Sequence, residues 1–456
     1  MSSSNIFNYL HSLHLYLKCG NIFKKLKFFS TKSLMKDKCS NQNYKTHFAY
    51  EQPRVNLNIE YLCNPKNTEE IIFNIQNRKG IGDIYKVLDH FVLLEGLKSN
   101  SKSPDYLKAY HKFLEEAIKI PNQSHPDLLQ HGEMPHLVKQ AGLKKDFNFK
   151  PKTFKDIAKS LSIVQNENTV NFTGQRSYYF MGQLAELESA LVDWSLKKLL
   201  SLGFHLISVP DILNRNIIES CGMDTQSDRN QVYTLCENYY DKDLCLSGTS
   251  EMAIAGYLMN KNIPEKDLPL RLAAVSRCYR AETSKVSEER GIYRVHHFTK
   301  VEMFGVTRPE ESSVLLEEFR NIQEELFISL GLHIQVLDMP LHELGAQAYR
   351  KFDVEAWMPG KKNWGEVSSC SDCTDFQSRR LSIKSGEQYV HTVNGTACAV
   401  PRLIIALLET HQRSDGTVDI PQVLQPFMRG KNIIDFISNA AIPHLRRSRT
   451  KSLLEL

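Results

Sequence analysis

The chain has 456 residues, of which 41% are apolar and 24% are charged, and it carries a formal net charge of +5. These values are those of an ordinary globular protein with room for one large and one smaller domain, and the mild positive charge suits an anionic partner without requiring one. No apolar run reaches the length of a membrane span, so we expect no membrane partner.

The first 36 residues differ in composition from the rest of the chain, because they contain six Lys and no Asp or Glu. An apolar-rich run at 6–17 is followed by the basic sequence KKLKFF. This pattern is typical of a mitochondrial presequence rather than a secretory signal, and a disordered basic tail is the alternative. We therefore expect a location in the mitochondrial matrix.

Three helices are predicted in the N-terminal region. The first covers 68–79, and the next two, at 83–98 and 106–120, have apolar residues at helical spacing and form a short antiparallel pair. Each limb of the pair spans on the order of 24 Å at the helical rise per residue. The pair either contributes to RNA binding or is a packing module without an RNA role.

The middle of the chain begins with a polar passage at 131–170, which we interpret as a linker containing a helix at 154–163. The clearest amphipathic helix follows at 184–202, and the sequence HLISVPDIL predicts a strand that ends at a proline. The ten cysteines include one C-x-x-C pair, Cys370 and Cys373. Because no second pair or histidine cluster lies at zinc-site spacing, we interpret the cysteines as reduced structural thiols.

The segment 271–304 predicts a long antiparallel hairpin whose charged loop covers 283–291. By alternation, Arg280 and Glu282 lie on one face of the first strand, and the return strand presents four residues on one face. These four are His296, Phe298, Lys300 and Glu302. A guanidinium, carboxylates and an aromatic ring on one face are suited to binding a nucleotide in a groove, and a solvated strand face with ion pairs is the alternative.

Three further segments carry candidate site residues. The sequence CLSGTSEMAI places Thr249 and Glu251 at a helix start, and WGEVSSC contains Glu366 and Ser369, which share a face only if the strand has a bulge between them. In HTVNGTACAVPRLIIALLETHQ, a strand leads into a helix. The residues of interest there are Asn394 and Thr396 on one strand face and Arg402 in the first helical turn, where the helix dipole favours a polyphosphate.

Taken in order, these segments resemble the three motifs of class II aminoacyl-tRNA synthetases. The helix and strand at 184–213 resemble motif 1, the R-x-E and RVHHFTKVEM sequences resemble motif 2, and HTVNGTACAVPRLIIALLE resembles motif 3. Within that class, the phrases FDVEAWMPG, CTDFQSRR and TACAVPRLIIALLE are similar to the animal mitochondrial seryl-tRNA synthetases. The N-terminal helix pair resembles the base of the helical arm of that family without its tip.

The resemblance implies an α+β fold, in which an antiparallel sheet flanked by helices carries a small N-terminal helical hairpin domain. It also implies four regions: a targeting or disordered segment at 1–45, a helical domain at 46–145, a catalytic domain at 146–434 and a basic tail at 435–456. The implied activity is serine–tRNA ligation, in which seryl-adenylate forms from serine and ATP and serine then passes to tRNA(Ser). A catalytically inactive relative with a binding role is the alternative.

The resemblance also implies roles for individual residues. Those implied for ATP are Arg280, Glu282, Arg290, Phe298, Glu366 and Arg402, of which Arg280, Glu282 and Arg402 are the catalytic set. Those implied for serine are Thr249, Glu251, Arg280, Glu302, Asn394 and Thr396. Glu366 and Ser369 are implied to hold Mg²⁺, a cation that prefers oxygen ligands. The implied assembly is a homodimer or a heterodimer with a paralogue.

Overall fold

The structure is a computed structural model that describes residues 52–165, 176–225, 230–236, 243–282 and 291–436. The targeting segment predicted at 1–45, the basic tail beyond Phe436, and Arg290 with most of the hairpin loop lie outside the described residues. Within these ranges no helix has both the length and the apolar character needed to cross a bilayer.

The helices of the described part are numbered here in chain order. They are α1 Ile59–Leu62, α2 Thr68–Asn77, α3 Ile84–Gly96, α4 Pro104–Ala117, α5 Phe154–Leu161, α6 Gln183–Ser201, α7 Arg215–Ser220, α8 Ser250–Leu258, α9 Ser312–Ser329, α10 Phe376–Leu381 and α11 Val400–His411. The strands are β1 His136–Ala141, β2 Val164–Gln165, β3 Tyr179–Phe180, β4 His205–Leu206, β5 Ile212–Asn214, β6 Leu244–Leu246, β7 Leu270–Tyr279, β8 His297–Thr307, β9 Ile334–Asp338, β10 Arg350–Met358, β11 Asn363–Thr374, β12 Lys384–Ser385, β13 Gln388–Tyr389, β14 His391–Ala399, β15 Val418–Asp419 and β16 Ile433–Ile434.

The predicted N-terminal helix pair is present as α3 and α4. Asp83 caps α3 by accepting from the backbone N–H groups of Tyr85 and Lys86, and Ser103 caps α4, whose first residue is Pro104. The two helices contain 13 and 14 residues, so each is about 20 Å long at the helical rise per residue. The pair packs around an apolar cluster that it shares with α1 and α2.

A buried arginine links these helices to the rest of the fold. Arg78, which follows α2, donates from Nη1 to the carbonyl of Asn122 at 2.7 Å and from Nη2 to the carbonyl of Gly345. The Asn122 amide in turn donates to the carbonyl of Cys373 at 3.0 Å. Because burial removes it from water, the pKa of the Arg78 guanidinium is lowered to about 10. The helical region is thus joined to β11 by a continuous chain of hydrogen bonds.

An eight-stranded sheet in the order β1-β9-β10-β11-β14-β8-β7-β4 forms the centre of the fold. All its pairs are antiparallel except β4 with β7, which confirms the expected α+β class. The linker interpretation is wrong at 136–141, because these residues form edge strand β1, in which His136 pairs with Asp338, whereas the helix expected at 154–163 is present as α5. Most side chains of β1 are exposed, so the strand lacks the alternation that marks a half-buried strand. The expected boundary between the helical domain at 46–145 and the catalytic domain at 146–434 therefore leaves β1, a strand of the large sheet, in the helical domain.

The two faces of the sheet differ in character. On β10, Phe352, Val354 and Ala356 face the core formed with helices α6, α9 and α11. The intervening Asp353 and Glu355 therefore point to the opposite face. That second face carries the polar residues of the candidate site.

The predicted hairpin is present, but its first strand ends earlier than expected. Strand β7 stops at Tyr279, so Arg280 and Glu282 lie beyond it and not on a strand face. The backbone N–H of Arg280 still donates to the carbonyl of His296 at 2.9 Å, whereas that of Glu282 donates back to the carbonyl of Arg280. This tight local turn ends the ladder and redirects Glu282.

Candidate active site

The first part of the site lies where α8 begins against β8. Thr249 is the N-cap of α8, and its hydroxyl donates to Oε2 of Glu302 at 3.1 Å and accepts from the Lys300 ammonium at 2.7 Å. Lys300 also forms an ion pair with Glu302. All three side chains are buried, and Thr396 is the cross-strand neighbour of Glu302. The structure thus brings together three of the predicted residues and adds Lys300.

Glu251 occupies the next position in the same pocket. Its Oε1 atom accepts from the side-chain amides of Gln377 at 2.6 Å and Asn394 at 2.9 Å. Burial, with a smaller contribution from the Glu302 carboxylate, raises the pKa of Glu251 to about 7, although Lys300 and the two amides oppose this. The pKa of Glu302 is likewise raised by burial. The pocket therefore holds two buried carboxylates and one ammonium.

The second part of the site is built from Arg280, Glu282 and Phe298. The guanidinium of Arg280 lies over the Phe298 ring at 5.3 Å, and its Nε donates to the carbonyl of Gly248 at 3.4 Å. Glu282 is 7% exposed and lies 3.7 Å from Arg294, yet its Oε2 atom has no hydrogen-bond partner among the described residues. A buried acceptor and an aromatic ring, with Arg280 adjoining the ring, are groups suited to the amine and the flat face of a purine.

The third part of the site lies at the start of α11. Arg402 follows Pro401 in the first turn, and its Nη1 lies 2.8 Å from Oε1 of Glu366. The guanidinium also lies over the Tyr293 ring at 4.8 Å, and the Tyr293 hydroxyl donates to the Glu366 carbonyl. Burial alone would raise the pKa of Glu366, but Arg402 and other nearby cations outweigh it and lower the pKa. Glu366 is therefore an ionised carboxylate at neutral pH.

The bulge that the sequence required is present in β11. Glu366 pairs with Glu355 and Ser369 pairs with Asp353, so that Val367 is the extra residue. Because Asp353 and Glu355 share a face of β10, Glu366 and Ser369 also share one face. Hydroxyl and carboxylate oxygens on one surface fit a hard cation such as Mg²⁺. In the described part of the chain, no group of three or more His, Cys, Asp or Glu residues is arranged to hold a metal ion.

Several residues of the site were not assigned by the sequence. Gln377 lies in the family-like phrase CTDFQSRR but was given no role there, and no sequence pattern indicated a role for Tyr293. Lys300 was placed on the correct face without a role. Lys351 was also missed, although its ammonium lies 2.8 Å from Asp353, whose pKa burial raises to about 7. All four contact predicted residues or their neighbours from positions that depend on the tertiary fold.

Comparisons with known proteins identify the family. Residues 233–411 match the tRNA synthetase class II core domain (G, H, P, S and T). The chain is 47% identical over 333 residues to the mitochondrial serine–tRNA ligase of Mus musculus, an alignment that covers 71% of this chain and 64% of the mouse protein. It is 37% identical over 395 residues to the mitochondrial serine–tRNA ligase of Saccharomyces cerevisiae, covering 81% of this chain and 86% of the yeast protein.

A solved structure agrees with these relatives. The seryl-tRNA synthetase of Pyrococcus horikoshii, determined as a complex with ATP, superimposes with a TM-score of 0.68 at 29% identity. The superposition covers 83% of this chain and 90% of that one. With a matching core domain, a matching fold and a yeast relative covered over most of its length, the chain belongs to the serine–tRNA ligase family of class II aminoacyl-tRNA synthetases.

Proposed function

We propose that the protein is a mitochondrial serine–tRNA ligase, which forms seryl-adenylate from serine and ATP and transfers serine to tRNA(Ser). The observation that carries the proposal is the pocket of Thr249, Glu251, Lys300 and Glu302, because it holds buried, hydrogen-bonded charges that a structural core has no need of. Relatives named as mitochondrial serine–tRNA ligases support the same activity.

In the proposed complex, serine occupies the pocket between α8 and the sheet. The ionised carboxylate of Glu251 accepts a hydrogen bond from the serine ammonium. Glu302 accepts a hydrogen bond from the serine hydroxyl, and Thr396 donates one to it. Asn394, assigned above to the serine pocket, acts here by donating to Glu251. Alanine lacks the hydroxyl and would form neither of these hydrogen bonds with Glu302 and Thr396, which disfavours its binding.

ATP occupies the adjoining surface. Phe298 stacks on the adenine, and Glu282 accepts from its exocyclic amine. Arg280 contacts the α-phosphate and the serine carboxylate together, so that it binds the two reacting groups at once. Arg402, with Arg290 from the hairpin loop, binds the outer phosphates. Glu366 and Ser369 would hold Mg²⁺, which supplies positive charge to the phosphates when bound.

The first step is an in-line displacement at phosphorus. A carboxylate oxygen of serine forms a bond to the α-phosphorus of ATP, the bond from that phosphorus to the bridging oxygen breaks, and pyrophosphate leaves. The guanidinium groups of Arg280 and Arg402 stabilise the charge that spreads over the phosphate oxygens in the transition state. No side chain acts as a nucleophile. In the second step, a hydroxyl of the terminal ribose of tRNA attacks the activated carbonyl and AMP leaves.

The location and assembly follow from the same family. The acid-free, lysine-rich segment at 1–36 and the mitochondrial relatives support the mitochondrial matrix. We propose the division into regions at 1–45, 46–145, 146–434 and 435–456. The motif 1 elements α6 and β4 are the proposed dimer contact, in a homodimer or with a paralogous subunit.

Two assays test the proposal in sequence. Serine-dependent exchange of pyrophosphate into ATP measures adenylate formation, and attachment of labelled serine to organellar tRNA(Ser) measures transfer. We expect both activities, with alanine giving far less exchange than serine. Absence of exchange in folded protein that still binds tRNA would favour the inactive alternative. Exchange without charging of any organellar tRNA(Ser) would instead indicate a different acceptor.

A further inference from the structure

A groove separate from the candidate active site lies between the segment at 145–149 and the end of α11. Its volume is about 620 Å³, and its walls include Lys145, Phe147, Phe149 and Arg413. The two phenyl rings meet edge to face with centroids 5.3 Å apart, and the Lys145 ammonium lies 5.5 Å from the Phe147 centroid. The groove thus combines aromatic rings with positive charge.

The same combination continues along the neighbouring surface. The ammonium of Lys144 lies 4.2 Å from the centroid of Trp357, and Trp357 meets Trp364 edge to face at 5.4 Å. His333 accompanies Trp364 at 5.1 Å and contacts the carbonyls of Ala141 and Gly142. These contacts fix the segment at 141–149 against β10 and β11. We call the groove and these residues together the cation–aromatic surface.

The cation–aromatic surface has an excess of positive charge. Between residues 141 and 152 there are four Lys and one Asp, and the turn between β10 and β11 adds Lys361 and Lys362. The acidic neighbours Asp415 and Asp419 each lie 3.7 Å from Arg413, so their charges offset the positive charge of Arg413 at the edge of the groove. The lysines of the segment and of the turn are exposed, so they are accessible to a phosphate backbone.

This surface reaches the phosphate end of the candidate active site. The ammonium of Lys361 lies 5.2 Å from the centroid of the Tyr293 ring, and Arg402 lies over that same ring. The turn containing Lys361 packs tightly against the segment, because a Cβ placed on Gly360 would lie 2.1 Å from the carbonyl oxygen of Lys152. Lys361 therefore lies near the Tyr293 ring that Arg402 also contacts, in a turn that packs against Lys152, three residues after the groove segment.

We propose that the cation–aromatic surface binds a single-stranded segment of the tRNA substrate. Unpaired bases stack on aromatic side chains, and lysines arranged beside those rings contact the connecting phosphates. The helix pair α3 and α4 is only about 20 Å long, so it covers little of a tRNA, and binding requires further surface on the body of the protein. The inference rests on the proposed function, because it takes tRNA as the substrate.

The experiment compares RNA binding with adenylate formation in three variants of the full chain. Lys144→Glu/Lys145→Glu reverses two exposed charges, and Phe147→Ala/Phe149→Ala removes the rings at constant charge. Lys261→Glu/Lys266→Glu is the control, since these exposed lysines lie between α8 and β7 and give the same change in net charge. Each protein is titrated with organellar tRNA(Ser) at several salt concentrations and assayed for serine-dependent pyrophosphate exchange without tRNA.

We expect the Kd for tRNA to rise about tenfold in both surface variants, with exchange unchanged, and to stay near the wild-type value in the control. The negative slope of log K against log salt should become shallower by about 1.4 in the lysine variant, since two phosphate contacts are lost and each single-strand contact contributes about 0.7. An unchanged Kd and an unchanged slope in the lysine variant would overturn the proposal. An equal rise in the Kd of the control variant would overturn it as well. If the wild-type protein shows no exchange, the proposed function fails, but the titration still decides whether the surface binds RNA.

Discussion

Replacement of Gln377 by Leu is expected to shift the pH dependence of serine activation. Gln377 is fully buried, donates to Glu251 at 2.6 Å and accepts from the hydroxyl of Thr392 at 2.7 Å. Leu has a similar volume and no polar atom, so the variant removes both hydrogen bonds without opening a large cavity. Because the amide stabilises the ionised form of Glu251, its loss raises the pKa of that carboxyl further.

The size of the effect follows from the hydrogen bond to the carboxylate. A hydrogen bond to a charged group contributes about 1.5–3 kcal/mol, and one pKa unit corresponds to about 1.4 kcal/mol, so the pKa of Glu251 should rise by about one to two units. In the wild-type protein that pKa is about 7, so half of the carboxyl groups are ionised at neutral pH. Binding of the serine ammonium requires the ionised form, so affinity rises as the pH increases through the pKa. At pH 7 the variant should therefore have a KM for serine about tenfold above wild type, and the difference should narrow towards pH 9.

The assay is serine-dependent pyrophosphate exchange, with the KM for serine measured from pH 6 to 9. Asn74→Leu is a matched control, since Asn74 is also buried, donates to the carbonyl of Asn122 at 2.7 Å and accepts from Ser124 at 2.6 Å. It should lower stability without moving the pH profile, because its partner carries no charge. A Gln377→Leu profile parallel to wild type, with the KM raised equally at every pH, would refute the assignment of Gln377 as a positioning residue for Glu251.

Three other substitutions test the remaining parts of the structure. Arg402→Gln should lower kcat/KM for ATP in the exchange assay by about 100-fold while changing the KM for serine little, because it removes a cation from the transition-state phosphates. Phe298→Leu should raise the KM for ATP by about tenfold in the same assay, because base stacking on an aromatic ring contributes about 1–3 kcal/mol. Arg78→Met should destabilise the fold by about 3 kcal/mol in urea unfolding, because the carbonyl of Gly345 loses this donor and the buried carbonyl of Asn122 keeps only the Asn74 amide. An unchanged value in any of these measurements would contradict the corresponding contact.

Much of the fold could be predicted because its elements carry strong local patterns. The helices at 183–201 and 400–411 bury regularly spaced apolar residues, so periodicity located them. Strand β1 was missed because it is an exposed edge strand, held by its backbone pairing with β9 and not by burial of one face. The early end of β7 was missed because the turn after Tyr279 depends on hydrogen bonds and not on an apolar pattern.

The candidate site shows the same division between local and tertiary signals. The family resemblance paired Glu366 with Ser369, and strand geometry then predicted a bulge between them, which the structure has at Val367. Gln377 could not be found, because it lies 126 residues from Glu251 along the chain and reaches it only through the packing of α10. The residues proposed to contact a ligand were therefore predicted from motif order, whereas the residues that orient them required the structure.

The charges of the amino-acid pocket explain why it suits an amine. Glu251 and Glu302 are two buried carboxylates, and Lys300 is the ammonium that lies directly between Thr249 and Glu302. One carboxylate is left without a matching cation inside the pocket, and burial raises the pKa of both acids in response. In the proposed complex, the serine zwitterion brings the missing ammonium to Glu251, and its carboxylate contacts Arg280. An amino acid thus restores the charge balance that burial has disturbed, whereas a neutral alcohol of the same size would leave the second carboxylate buried and unpaired.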